Sequence, residues 1–211
     1  MNFLELAGLV QDEPVFTSSL LKVAGIKTSQ IELQLVRWVK AGCLLKLRRG
    51  LYVLGKPYRK IEPHPFLIAN QLQRGSYVSF QSALAFYDLI PEHVPVVTSA
   101  TTGRPEMVKT PMGSFIFRHL KAGMFSGFRQ VKIADRQQAV IATPEKALVD
   151  LLYATPGSDS DGYIEELRLQ NTDGLSEDEL KKHAGVSGSC KVERAVKKIL
   201  KAIEQERGRS K

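Results

Sequence analysis

Residues 44–54, LLKLRRGLYVL, constrain the fold more than any other stretch of this chain. Apolar and basic residues alternate up to Arg48-Arg49, glycine follows at position 50, and the chain returns in strand-favouring residues. Such a pattern reads as a tight β-hairpin with the glycine at its turn. What precedes it is helical. Phe3, Leu4, Leu6, Ala7 and Val10 repeat with helical spacing until Asp12-Glu13-Pro14. A second helix is predicted from the N-cap candidate Thr17 through Leu20, Leu21 and Ala24 to Gly25, and a third over 29–41, ending at Gly42. Between them, Gly25-Ile26-Lys27-Thr28 is the short glycine-containing connection that joins the two helices of a helix-turn-helix.

A basic hairpin directly after such a pair of helices is the element order of a winged helix-turn-helix. On the third helix, Ile31, Leu35, Val36, Trp38 and Val39 share one side, and Gln30, Gln34, Arg37 and Lys40 the other. Glutamine and arginine can bond purine edges in the major groove, and lysine neutralises phosphate. Leu33 falls within that stripe, where it touches a thymine methyl or packs on a neighbouring element. Lys46, Arg48 and Arg49 fall on the wing strand and its tip, in reach of a phosphate backbone or a minor groove. The plainer readings are the polar face of any surface helix, and an edge strand protected from aggregation by its charges.

Charge distribution points the same way. The 211 residues carry a formal net charge of +8. Ten Lys or Arg stand against four Asp or Glu in residues 1–60, and nine against seven in 61–156. Residues 157–189 hold three basic and eight acidic side chains, and residues 190–211 the reverse balance, eight and three. A basic N-terminal third favours a polyanionic partner. Cys43 and Cys190 show no ligand spacing, so neither a disulfide framework nor a structural metal is expected. No apolar run approaches the ~20 residues of a membrane span, and MNFLELAGLVQDE is acidic where a signal peptide is basic. A cytoplasmic protein without a membrane partner is expected.

Residues 55–65, GKPYRKIEPHP, are the best linker candidate and predict a division into residues 1–58 and 59–211. The second part divides again, into a core over 66–155 and a helical extension over 157–211. In the core, PFLIANQLQRG and SFQSALAFYDLI read as helices flanking a short strand, YVS. HVPVVTSAT, the MVKTPMGSFIFRHL hairpin, FRQVKIA and QQAVIA read as strands, and TPEKALVDLLYA as a helix. Short turns between the strands predict an α+β domain with an antiparallel sheet. Three helices are expected beyond 157, the middle one opening on a Ser176/Glu179 capping box. In the last, VERAVKKILKAI, the apolar positions share a face, and Lys197, Lys198 and Lys201 either stand in water or add a second DNA contact.

Catalytic chemistry finds little support. Its candidates are His93, His119, Asp135, Glu145, Lys146 and Asp150. Thr143-Pro144-Glu145 is explained by helix capping alone. The histidines at 64, 93, 119 and 183 lack metal-ligand spacing, and no phosphate-binding glycine loop or nucleophile elbow occurs. We expect no enzyme activity, no cofactor and no metal. Two alternatives stand beside DNA binding: a nucleic-acid- or nucleotide-processing enzyme, and a protein-interaction module docking through the acidic 157–189 stretch.

LRRGLYVL, GSYVSFQSALAFYDLIPE, VTSATTGRP, SFIFRHL and AVIATPEKALVDLLY, in this order over residues 16 to 154, resemble the AbiEi family of bacterial antitoxins and transcriptional regulators. The resemblance implies a two-domain regulator of a type IV toxin–antitoxin, abortive-infection system of phage defence. Its winged helix would bind inverted repeats in double-stranded DNA and repress its own operon. Its C-terminal domain would oppose a nucleotidyltransferase-like toxin without a stable complex. Carried onto this chain, the recognition helix is 29–41 and the wing 44–54. Gln30, Gln34 and Arg37 are then expected at bases, with Lys27, Thr28, Ser29, Lys40, Lys46, Arg48 and Arg49 along the backbone. Arg104, His119, Lys121, Arg129 and Lys146 are the candidate antitoxin surface. A monomer or weak dimer, paired on DNA, is expected.

Overall fold

The computed structural model describes residues 1–23, 28–92 and 94–209. Asn2 opens helix α1 (Phe3–Val10): its side chain accepts from the Glu5 backbone N–H, and the Glu5 carboxylate accepts in return from the Asn2 backbone. This reciprocal capping box satisfies donors that the first turn leaves unpaired. Strand β1 (Phe16–Thr17), unforeseen because two residues carry no periodicity, leads into α2 (Ser18–Val23). Helix α3 (Thr28–Lys40) follows, then β2 (Leu44–Arg48) and β3 (Leu51–Leu54). Gly50 has φ 77° at the turn, a conformation that suits glycine. The three strands form an antiparallel sheet in the order β1-β3-β2.

Alternation along the hairpin gives it two apolar faces. Leu44, Tyr52 and Leu54 join Leu6, Val10, Phe16, Ile31 and Leu35 in a small N-terminal core. Leu47, Leu51 and Val53 belong instead to the large core of the remaining chain. One hairpin thus serves both cores. The expected linker is correspondingly tied down. The Arg59 side chain is 6% exposed and pairs with Glu62, and Gln137 donates to the Glu62 carbonyl while accepting from the His64 N–H.

Beyond it come α4 (Pro65–Leu72), β4 (Tyr77–Val78), α5 (Phe80–Phe86), β5 (Val96–Thr101), β6 (Glu106–Thr110) and β7 (Gly113–His119). Strands β8 (Phe128–Ala134) and β9 (Gln137–Ala142) lead to helix α6 (Pro144–Ala154). The α+β class is as expected, but the antiparallel sheet is not. Six strands run in the order β6-β7-β5-β4-β9-β8, with β5 parallel to β7 and β4 parallel to β9. The physical reason lies in how two hairpins dock. Each of β6–β7 and β8–β9 is antiparallel within itself, and each lays its second strand parallel against one member of the antiparallel β4–β5 pair.

Three helices close the chain: α7 (Asp161–Glu166), α8 (Glu177–Ser187) and α9 (Cys190–Arg209). Ser176 caps α8 by accepting from the Glu179 N–H, but its own N–H goes to the Glu145 carboxylate, 3.0 Å away, so only half of the expected capping box forms. Val192, Ala195, Val196 and Ile199 of α9 are buried in the large core. Among the described residues no helix is long and apolar enough to cross a membrane.

Candidate functional site

Helix α3 carries the candidate DNA-reading side chains. Ile31 and Leu35 are buried, and Trp38 and Val39 half-buried, which fixes its inner face against α1 and the hairpin. Opposite them, Leu33, Val36, Arg37 and Lys40 are exposed, with Glu32 at the border. Val36, expected in the core, is 53% exposed, and Leu33 is 64% exposed. The outer face is therefore rotated from the expected donor stripe toward Leu33 and Val36, leaving Gln34 half-buried at its edge. Trp38 causes the rotation: it packs edge-on against Phe3 of α1 at 5.6 Å and draws that side of the helix inward. Thr28, Ser29 and Gln30 lie in the first turn of α3. Lys27, like His93 of the enzymatic reading, lies outside the described residues.

The hairpin separates its three basic side chains. Lys46 and Arg49 are exposed, and Arg37, Lys40, Lys46 and Arg49 have no ion-pair partner among the described residues. Arg48 is engaged elsewhere. Its guanidinium donates to the Leu72 carbonyl at 2.7 Å and to both Glu106 oxygens at 3.0 and 3.3 Å. It ties the hairpin to the large domain instead of standing free for phosphate.

The candidate antitoxin residues are scattered. Arg104 and Arg129 are exposed, and the ring of His119 bonds the Gly103 carbonyl at 3.0 Å. Lys121 donates to the Ser187 carbonyl at 2.6 Å, joining the loop after β7 to the end of α8. Lys146 is not on the surface at all. It is 1% exposed, and its ammonium pairs with Asp150 one turn along α6. Asp150, fully buried, also accepts from Tyr77 Oη at 2.9 Å and Ser79 Oγ at 2.7 Å. Burial pushes the Asp150 carboxyl above its usual range, while the Lys146 ammonium and the two hydroxyls pull it back. Burial likewise raises Tyr77, with the Asp150 charge acting in the same sense. In the sequence, the only pointer to this pair is the i, i+4 spacing of Lys146 and Asp150.

Four of the eight acidic side chains in 157–189 pair with Lys or Arg within the molecule. Arg194 holds Asp159, Lys198 holds Asp161, Lys181 holds Glu177, and Lys182 holds Glu179. Lys198 thus faces Asp161 across an exposed pair that holds it only weakly. Among the described residues no group of three His, Cys, Asp or Glu is placed to hold a metal. Set against known proteins, the chain matches no family model and no curated protein significantly.

Proposed function

We propose that the chain is a DNA-binding regulator whose N-terminal region acts as a winged helix-turn-helix, with α3 as recognition helix and β2–β3 as wing. One observation carries this reading: α3 and the adjoining hairpin together present Arg37, Lys40, Lys46 and Arg49, all exposed and without carboxylate partners among the described residues. Unpaired cations flanking two exposed aliphatic side chains suit a surface that meets phosphates at its rim and base methyls at its centre. The resemblance to the AbiEi family extends the reading to an autorepressor and type IV antitoxin, with the larger domain opposing a nucleotidyltransferase-like toxin.

The decisive experiment is fluorescence anisotropy of the full chain on DNA upstream of its own gene, with random DNA as control, across a salt series. The full chain is required because the hairpin contributes Leu47, Leu51 and Val53 to the large core. Sequence-selective binding that weakens steeply with salt supports the regulator. Binding equal to that on random DNA removes it. The antitoxin extension is tested by co-expression with the product of the neighbouring gene: rescue of growth supports it, and absence of toxicity or of rescue removes it.

A further inference from the structure

The large domain holds a cleft of about 610 Å³ lined by Gln81, Arg118, His119, Tyr153, Thr155 and Tyr163 together with small and proline residues. It is an open surface groove, wide enough for a small molecule to lie along it. It lies where four separate elements meet: the end of β7, the first turn of α5, the last turn of α6 and the start of α7. Phe80, wholly buried with φ 56°, turns the chain sharply from β4 into α5 and so sets Gln81 beside the end of β7.

The chemistry of the lining is one-sided. Among the described residues that line it, Arg118 and His119 are the only titratable groups besides the two tyrosines, and none is a carboxylate. The Arg118 guanidinium rests 5.3 Å from the centre of the Phe80 ring and has no hydrogen-bond or ion-pair partner among the described residues. His119 donates through Nδ1 to the Gly103 carbonyl, because a carbonyl only accepts, and this leaves Nε2 for another group. Tyr153 and Tyr163 are half-buried and add ring surface. Gln81 supplies an independent sign of a missing partner: its Oε1 is buried and accepts no hydrogen bond among the described residues. Buried polar atoms are ordinarily paired, so this oxygen is free to accept from a ligand once the Gln81 side chain, part of the cleft lining, turns toward it.

We infer that this cleft binds a nucleoside phosphate, with the phosphate on Arg118 and His119, the base against the tyrosine rings, and an exocyclic amine or ribose hydroxyl donating to Gln81 Oε1. A planar arginine fork matches phosphate oxygens, and aromatic side chains offer a base its stacking partner. The same chemistry serves a free mononucleotide or the 5′-phosphorylated end of an RNA strand. The inference does not depend on the DNA-reading role of α3 and stands or falls separately from it.

Isothermal titration of the full chain with AMP, GMP, CMP and UMP, with adenosine and inorganic phosphate as part-ligands, tests it. At least one nucleotide is expected to bind more tightly than about 1 mM, and more tightly than either part-ligand. Arg118→Gln is expected to weaken nucleotide binding about tenfold or more while changing nucleoside binding little, and Arg118→Lys to lie between. Tyr163→Ala weakens nucleoside and nucleotide alike. Circular dichroism checks that each variant folds. A 5′-phosphorylated RNA hexamer distinguishes the sources: tighter binding than the mononucleotide indicates a strand end, weaker binding the free nucleotide. No binding of any nucleotide by 1 mM, affinity for phosphate equal to that for nucleotide, or folded Arg118→Gln and Arg118→Lys variants that bind normally each overturns the inference.

Discussion

Arg48 and Glu106 lie 58 positions apart in the chain, yet their guanidinium and carboxylate meet in a two-point bond that joins the N-terminal hairpin to the edge strand of the large sheet. Both side chains are partly exposed, so the pair itself stabilises weakly, by about 0.2–1 kcal/mol. Arg48 also satisfies the Leu72 carbonyl. Arg48→Ala is therefore expected to cost about 1–2 kcal/mol in urea unfolding, more than Glu106→Ala, because it leaves that carbonyl without its donor. Operator affinity at low salt should fall less for Arg48→Ala than for Arg49→Ala. An equal or larger loss for Arg48→Ala would mean that the arginine leaves Glu106 when DNA binds.

Lys146 and Asp150 give the opposite case, an ion pair with no access to water. Together with Tyr77 and Ser79 they pin α6 to the strand-to-helix turn after β4. Removing one partner strands a charge in the core, so Lys146→Ala is expected to cost about 3–5 kcal/mol. Asp150→Asn keeps an acceptor for both hydroxyls but leaves the ammonium uncompensated, and should also destabilise strongly. Loss of any antitoxin activity in these variants would then follow from unfolding. A urea midpoint for Lys146→Ala close to that of the parent chain would contradict the burial argument.

Where a structural signal is local, the sequence already displays it. The hairpin at 44–54, the Thr143 cap with Pro144 at the first turn, and the apolar face of α9 all follow from spacing and side-chain type. The parallel pairing of β5 with β7 does not, because it depends on which edge each hairpin joins, a long-range choice that no short window carries. The same limit applies to the site. Exposure of Arg37 follows from the helical period, whereas capture of Arg48 depends on Glu106 and capture of Lys121 on the Ser187 carbonyl, both remote in sequence. Val36 stands out because Trp38, large enough to turn the helix, competes with it for the inner face.

His64 makes stability depend on pH. It caps α4, its Nδ1 accepting from the Phe66 N–H at 3.1 Å, and burial holds its pKa below the ordinary 6.5. The native imidazole stays neutral where the unfolded one takes up a proton. Below pH 6.5 the unfolded state thus binds more protons, and the contribution present above that pH is lost as pH falls through the depressed native value. His183, also lowered mainly by burial, acts in the same direction. Urea midpoints are expected to drop between pH 7.5 and 5.5. His64→Asn keeps a capping acceptor without a titrating group, so its drop should be smaller. An unchanged slope would assign the effect to His183.

On the proposed DNA-binding reading, Arg37 and Arg49 would separate base reading from backbone attraction. Arg37 projects from the exposed face of α3 beside Leu33 and Val36, whereas Arg49 sits at the hairpin turn next to Gly50. If α3 enters the major groove, Arg37→Ala removes a contact that only some base pairs satisfy, costing about 1–3 kcal/mol on the operator and little on random DNA. If Arg49 meets phosphate on the same reading, Arg49→Ala weakens both DNAs alike and reduces the slope of log K against log salt by about 1. Leu33→Ala keeps all charges, so any loss it causes must come from apolar contact and should leave that slope unchanged. Equal losses on operator and random DNA for Arg37→Ala would place α3 on the backbone, and the wing would then be left to carry sequence preference.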